Sequence, residues 1–348
     1  MRTFGGDLWQ CSSWSIVSRR HDTRLARGNQ LSAGGQAREL RVTQTASPSN
    51  LPDMSSDPFA DLASSVEVFA KKFRDFMTRN PRPAPGSPAD QEAQGEPFAG
   101  DWSDHPSSDI FATTYLAATS CTDHLLGLAD VLNSRNALFA AYTLTRGAVE
   151  AAALGCYLTD QDIGGRERVR RTMNYRLDAM CERVWLFRDM PDDYAEKLAE
   201  AKQWISDFAR SARQHGFDFH DMSGTGRAAH VGPEQPKAMT LISLAVNKNM
   251  PELGRTYQRL LSATAHSAVH GLARMQTPVS PNEGLAAVNI DSRRLAVELA
   301  VGPLTAHRLA KGVEWFTRCD ISDLHAPAIQ MLGTWARIGQ MNGPMVRA

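Results

Sequence analysis

"ALFAAYTLTRGAVEAAALGCYLTD", residues 137 to 160, decides the fold class. The run is apolar on nearly every side when wound at the helical period, so it reads as a helix from Leu138 to Leu158. Two charges stand near its centre, Arg146 and Glu150. With Tyr142 and Tyr157 they fall on one side, spaced by four, four and seven residues. The length would suffice to cross a membrane, but a central Arg or Glu costs about 2.5–3.5 kcal/mol on insertion scales. Short Ala and Gly side chains do not offset that, and the reading is a buried helix of a soluble protein. A buried charge left alone costs several kcal/mol, so Arg146 and Glu150 are expected to pair. The pair has two readings: an ion pair that fixes helix register, or a polar seam lining a pocket inside a bundle.

Outward from this helix the pattern stays helical. Ser107 or Ser108 opens a helix to about Leu132. Further helices are expected over 164–190, 191–214, 238–246, 252–275, 293–318 and 325–338. No segment alternates as a strand does, and no internal repeat marks a solenoid. Long helices with short turns predict an all-α protein, an antiparallel helical bundle over 107–342. Ahead of it, Phe59, Leu62, Val66, Phe69, Phe73 and Met77 make one amphipathic helix within 54–80. Residues 81–106 are rich in Pro and Gly and read as a linker. Residues 1–53 have several Arg and Ser and no apolar period, and read as a disordered extension or a mis-assigned start, with Met54 the first residue in the second case.

The chain has 348 residues, 42% hydrophobic and 22% charged, with 38 basic and 38 acidic side chains. That neutral balance supplies no global attraction for nucleic acid or an anionic membrane. The five cysteines are scattered, with no Cys-x-x-Cys pair, which suits a reducing cytoplasm. Nothing in the sequence calls for a cofactor or a metal.

A second constellation lies in "RTYQRLLSATAHSAVHGLARM", residues 255 to 275. Tyr257, Leu260, Leu261, Thr264, Ala268 and Leu272 form its apolar stripe. Arg255, Arg259, Ser262, His266 and His270 lie opposite, with no acid among them. A solvated face explains such a stripe, and three chemistries compete with it. His266 and His270, at i and i+4, have the spacing to share a metal but lack an evident third ligand. Ser262 and His266 have the spacing of nucleophile and base, without an oxyanion loop. Arg259 and His266 combine a phosphate-holding guanidinium with an imidazole that moves the proton of a ribose hydroxyl.

That last pair resembles the Arg-x(4–6)-His signature of the HEPN ribonuclease family, with Leu260 where the family has a polar residue. The resemblance implies an all-helical, metal-independent ribonuclease acting as a homodimer, with nucleic acid as partner under this reading alone. Arg146 and Glu150, taken with Tyr257, Ser262 and His266, also resemble a set of uncharacterised bacterial all-helical proteins. Those pair an Arg-x3-Glu helix with a Tyr-x4-Ser-x3-His helix, and the likeness covers about 110 to 275. It implies a fold and no activity. The principal functional expectation is therefore a module that binds a small ligand or a protein partner, with Tyr142, Arg146, Glu150, Tyr157, Ser262 and His270 at its site. The alternative is the ribonuclease with Arg259 and His266 as its catalytic pair.

Lesser signals have plain readings. "GTGRAA", residues 224 to 229, lacks the strand a dinucleotide fingerprint needs. His215, His220, Asp221 and His230 crowd one loop and offer metal-ligating side chains, although a flexible polar loop is the expected reading. Arg166, Arg168, Arg170 and Arg171 are expected on a solvated helix face.

Overall fold

Prolines and short polar side chains set where the first helices begin. Pro58 opens α1 (Pro58–Arg79), and the Asp57 carboxylate accepts from the Phe59 amide at 3.1 Å. Ser87 caps α2 (Pro88–Gln94) by accepting from the Asp90 amide. The computed structural model describes residues 57–95, 106–191, 194–222, 228–246, 251–266, 268, 271, 276–280, 285–288 and 291–340. Within them follow α3 (Pro106–Ser134), α4 (Leu138–Leu158), α5 (Gly165–Arg188), α6 (Ala195–Gln214), α7 (Ala238–Val246) and α8 (Pro251–Ala265). The chain continues with α9 (Ser292–Leu299), α10 (Val301–Thr317) and α11 (Ser322–Gly339). Two antiparallel ribbons complete it, β1 (Phe219–His220) with β2 (His230–Val231), and β3 (Gln276–Ser280) with β4 (Leu285–Val288). The fold is an all-α helical bundle, and no helix of the described residues is long and apolar enough to cross a membrane.

At the centre α3 and α4 form an antiparallel hairpin turned at Arg135, which takes a left-handed φ of 56°. The glycines give the register: Gly127 of α3 faces Leu144 of α4, and Gly147 of α4 faces His124 of α3. A methyl group at Gly147 would lie 2.5 Å from the His124 ring, so glycine there lets the imidazole lie against α4. α4 also packs on α7, α8 and α10, while α1 packs on α3 and α11. The core runs continuously through these helices, with Phe69, Phe73, Tyr142, Val149, Leu309, Phe316 and Trp335 all buried.

The structure departs from the sequence reading in the bounds and placement of several elements. The helix within 54–80 belongs to the bundle itself: Leu62, Val66, Phe69 and Phe73 are fully buried in the main core. A domain boundary near 107 therefore cuts through the bundle. The linker over 81–106 contains α2, whose Ala89 joins the same core. The helix expected over 293–318 breaks at Ala300, because Pro303 has no N–H for the Leu299 carbonyl.

The helix expected over 252–275 stops at Ala265. The Ala268 amide reaches back to the Ala263 carbonyl at 2.8 Å, and the chain folds over the helix end. Gly271 then passes so close that an added Cβ would meet the Ala263 carbonyl carbon at 2.6 Å, a path open to glycine alone. The expectations for residues 1–53 lie outside the described residues.

Candidate functional site

The charged centre of α4 and the imidazole just beyond α8 meet. Arg146 Nε donates to Glu150 Oε1 at 2.8 Å, and Arg146 Nη1 lies 2.6 Å from His266 Nε2. A guanidinium only donates, so Nε2 of His266 is the acceptor and Nδ1 carries the ring proton. The helical spacing of Arg146 and Glu150 fixes one half of the contact, and the packing of α8 on α4 supplies the other. The arrangement is not the buried ion pair expected from the sequence. The Arg146 and Glu150 side chains are 24% and 35% exposed, and His266 is exposed. They lie at a seam open to solvent where α4 meets the end of α8.

The other sequence candidates divide between structure and surface. Tyr142 is fully buried, and its hydroxyl donates to the Glu298 carboxylate, which also accepts from Arg294 Nε at 3.0 Å. This is a tie between α4 and α9, away from solvent. Tyr157 lies under the Arg171 guanidinium, 4.0 Å from ring centre to Cζ, and its carbonyl accepts from Arg171 Nη1. It too is part of the scaffold. Ser262 accepts from Gln258 Nε2 at 3.0 Å, and Arg259 is exposed on α8. His270 lies outside the described residues. The Tyr257 hydroxyl sits 3.5 Å from the Val297 carbonyl, and burial pushes its ionisation upward, so it is a packing residue. A surface hollow lined by Lys72, Asp75, Thr78, Arg79 and Asp323 receives no side chain from the seam.

The arginine knot of α5 is the largest correction. Arg168 and Arg170 are buried, at 1% and 7% exposure, where a solvated face was expected. Arg168 donates to the carbonyls of Asp160 and Ile163, lies 3.4 Å from Glu92 of α2, and stacks near Trp315 and Phe316. Arg170 forms a two-pronged contact with Glu167 and reaches the carbonyls of Val231 and Pro233. The Arg170 hydrogen bond, ahead of a smaller one from Arg171, holds the Glu167 carboxyl below its ordinary range. Burial lowers the Arg168 guanidinium from its usual value, while the Glu167 hydrogen bond raises that of Arg170. The legible signal was Glu167 standing three and four residues before Arg170 and Arg171, with Asp160 upstream.

Among the described residues no group of three or more His, Cys, Asp or Glu side chains is placed to hold a metal. No family model, curated protein or solved structure matches this chain.

Proposed function

We propose that the chain is a helical binding module whose site is the Arg146–Glu150–His266 seam. The Arg146–His266 contact carries this reading, because it joins residues 120 positions apart into one polar cluster at the surface. Glu150 and His266 hold the guanidinium through Nε and Nη1, and the side chain keeps 24% of its surface exposed. A guanidinium held in this way suits a carboxylate or another anionic acceptor on a small ligand or a protein partner, with His266 Nδ1 as a second donor. Arg259, exposed on the same helix as the approach to His266, adds positive charge nearby. The test is nuclear magnetic resonance titration of the full chain with acetate, inorganic phosphate and a peptide ending in a free carboxylate. The His266 ring signals should move with at least one of them at millimolar concentration, and should stay fixed in Arg146→Gln. Signals that ignore all three probes, or that move equally in Arg146→Gln, would end this reading.

The ribonuclease reading keeps one observation in its favour: Arg259 and His266 are both exposed, within reach of a polymer. Against it, Arg146 takes the Nε2 that a general base would use. In that reading the chain acts as a homodimer and cleaves single-stranded RNA in EDTA, leaving 2′,3′-cyclic phosphate ends. His266→Ala should abolish the cleavage. An inert wild type, or cleavage that survives in His266→Ala, leaves the binding module alone.

A further inference from the structure

We infer that the β1–β2 ribbon carries a divalent transition-metal site built from His220 and His230. The two residues are direct partners in the antiparallel register, and their rings stack with centroids 4.5 Å apart and planes 24° from parallel. Strand alternation puts their neighbours Phe219 and Val231 into the core and leaves the histidines on the solvent side.

Two features make the pair more than a surface accident. The first is the tautomer. His230 Nδ1 lies 2.8 Å from the Gly232 carbonyl, which only accepts, so Nδ1 holds the proton and Nε2 presents a lone pair outward. A ring nitrogen hydrogen-bonded to a backbone carbonyl is the usual support behind a metal-binding imidazole. The second is rigidity. Val231 is held on its outer edge by both ends of the Asn174 amide, at 2.7 and 3.2 Å, and its carbonyl also accepts from Arg170. On the other strand Phe219 packs against Phe208, and the Gly232 amide donates to the Asp218 carbonyl at 2.7 Å. A two-residue ribbon would fray alone, but this one is fastened to α5 and α6.

The geometry is within reach of a shared ion. One tetrahedral zinc holds two imidazole nitrogens about 3.3 Å apart, given zinc–nitrogen bonds of about 2.0–2.1 Å. His220 is exposed, so its ring is free to turn out of the stack toward a shared ion. Asp218, two residues before His220 on the same side of the strand, places a carboxylate oxygen 3.9 Å from His220 Nε2. Two imidazoles completed by water suit copper(II), zinc or nickel, and do not suit calcium or magnesium. With two histidines and no closed ligand cage, the site is an open one that keeps exchangeable positions.

The test is titration of the metal-free full chain with copper(II), followed by electron paramagnetic resonance and calorimetry. The expected result is one tight equivalent with a two-nitrogen hyperfine pattern, and weaker binding of zinc at the same site. His220→Asn and His230→Asn should each lose that equivalent, while His266→Asn keeps it. Both ribbon histidines point away from the core, so circular dichroism of the metal-free variants should match the wild type. If a variant fails that check, paramagnetic broadening in the wild type must be confined to the β1–β2 ribbon. No stoichiometric binding, retention in either ribbon variant, or broadening centred elsewhere overturns the assignment.

Discussion

Asn174 of α5 and Val231 of β2 exchange two hydrogen bonds, the Val231 amide donating to Oδ1 at 2.7 Å and Nδ2 donating to the Val231 carbonyl at 3.2 Å. A side-chain amide thereby stands in for the neighbouring strand that the ribbon lacks, and closes its outer edge. Asn174→Ala removes both bonds. The carbonyl keeps Arg170, but the fully buried amide is left without a partner, at a cost of about 1–3 kcal/mol. Urea denaturation of the variant should show a loss in that range, and an unchanged midpoint would mean that water replaces Asn174.

Glu150→Ala tests the openness of the seam. An i, i+4 pair exposed to this degree contributes under about 1 kcal/mol, where a buried pair would lose about 3–5 kcal/mol on removal of one partner. Thermal and urea unfolding should place the variant close to the wild type. A loss of several kcal/mol would show that the pair is shielded in solution.

Arg168→Ala should behave in the opposite way. It removes the guanidinium that donates to the Asp160 and Ile163 carbonyls and empties a site that is 1% exposed, so a loss of about 2–5 kcal/mol is expected. Arg168→Met, which keeps the stem against Trp315 and Phe316, should lose less. Equal effects of the two would assign the role of Arg168 to its charge alone.

His307 gives the fold an acid sensitivity. Burial first, then Lys311, His325 and Arg308 nearby, holds its imidazole below the ordinary value of 6.5. The folded state therefore prefers the neutral ring. The stability this preference confers is present above the unfolded value and is lost as pH falls from there through the depressed folded one. Urea midpoints compared at about pH 7.5 and about pH 5.5 should fall for the wild type, and fall less for His307→Gln. The same drop in both would remove His307 from the account.

The sequence showed most plainly what depends on period alone. Helix α4 has the bounds its apolar run predicted, and α7 likewise, because every contact that defines them repeats every three or four residues. Period could not reveal where long helices end. Gly271 and Pro303 acted through close approach and a missing donor, and both depend on what lies across the turn. The seam was half legible. Arg146 and Glu150 share a helix, so their contact followed from spacing, whereas His266 met Arg146 through packing between helices. The buried arginines of α5 were misread for a related reason: a guanidinium counts as solvated until the carbonyls that receive it are known, and those came from residues 160–163 and 231–233.

The fold-back at Gly271 has a mechanical consequence for the seam. His266 is carried by a reversal clamped where Gly271 rests on Ala263 and Thr264, and no longer by a continuing helix. Counting residues ceases to measure angle beyond Ala265, where α8 ends. The same clamp acts as a lever. A methyl group added at Gly271, though it touches neither charge of α4, must push the reversal outward and carry the imidazole away from Arg146.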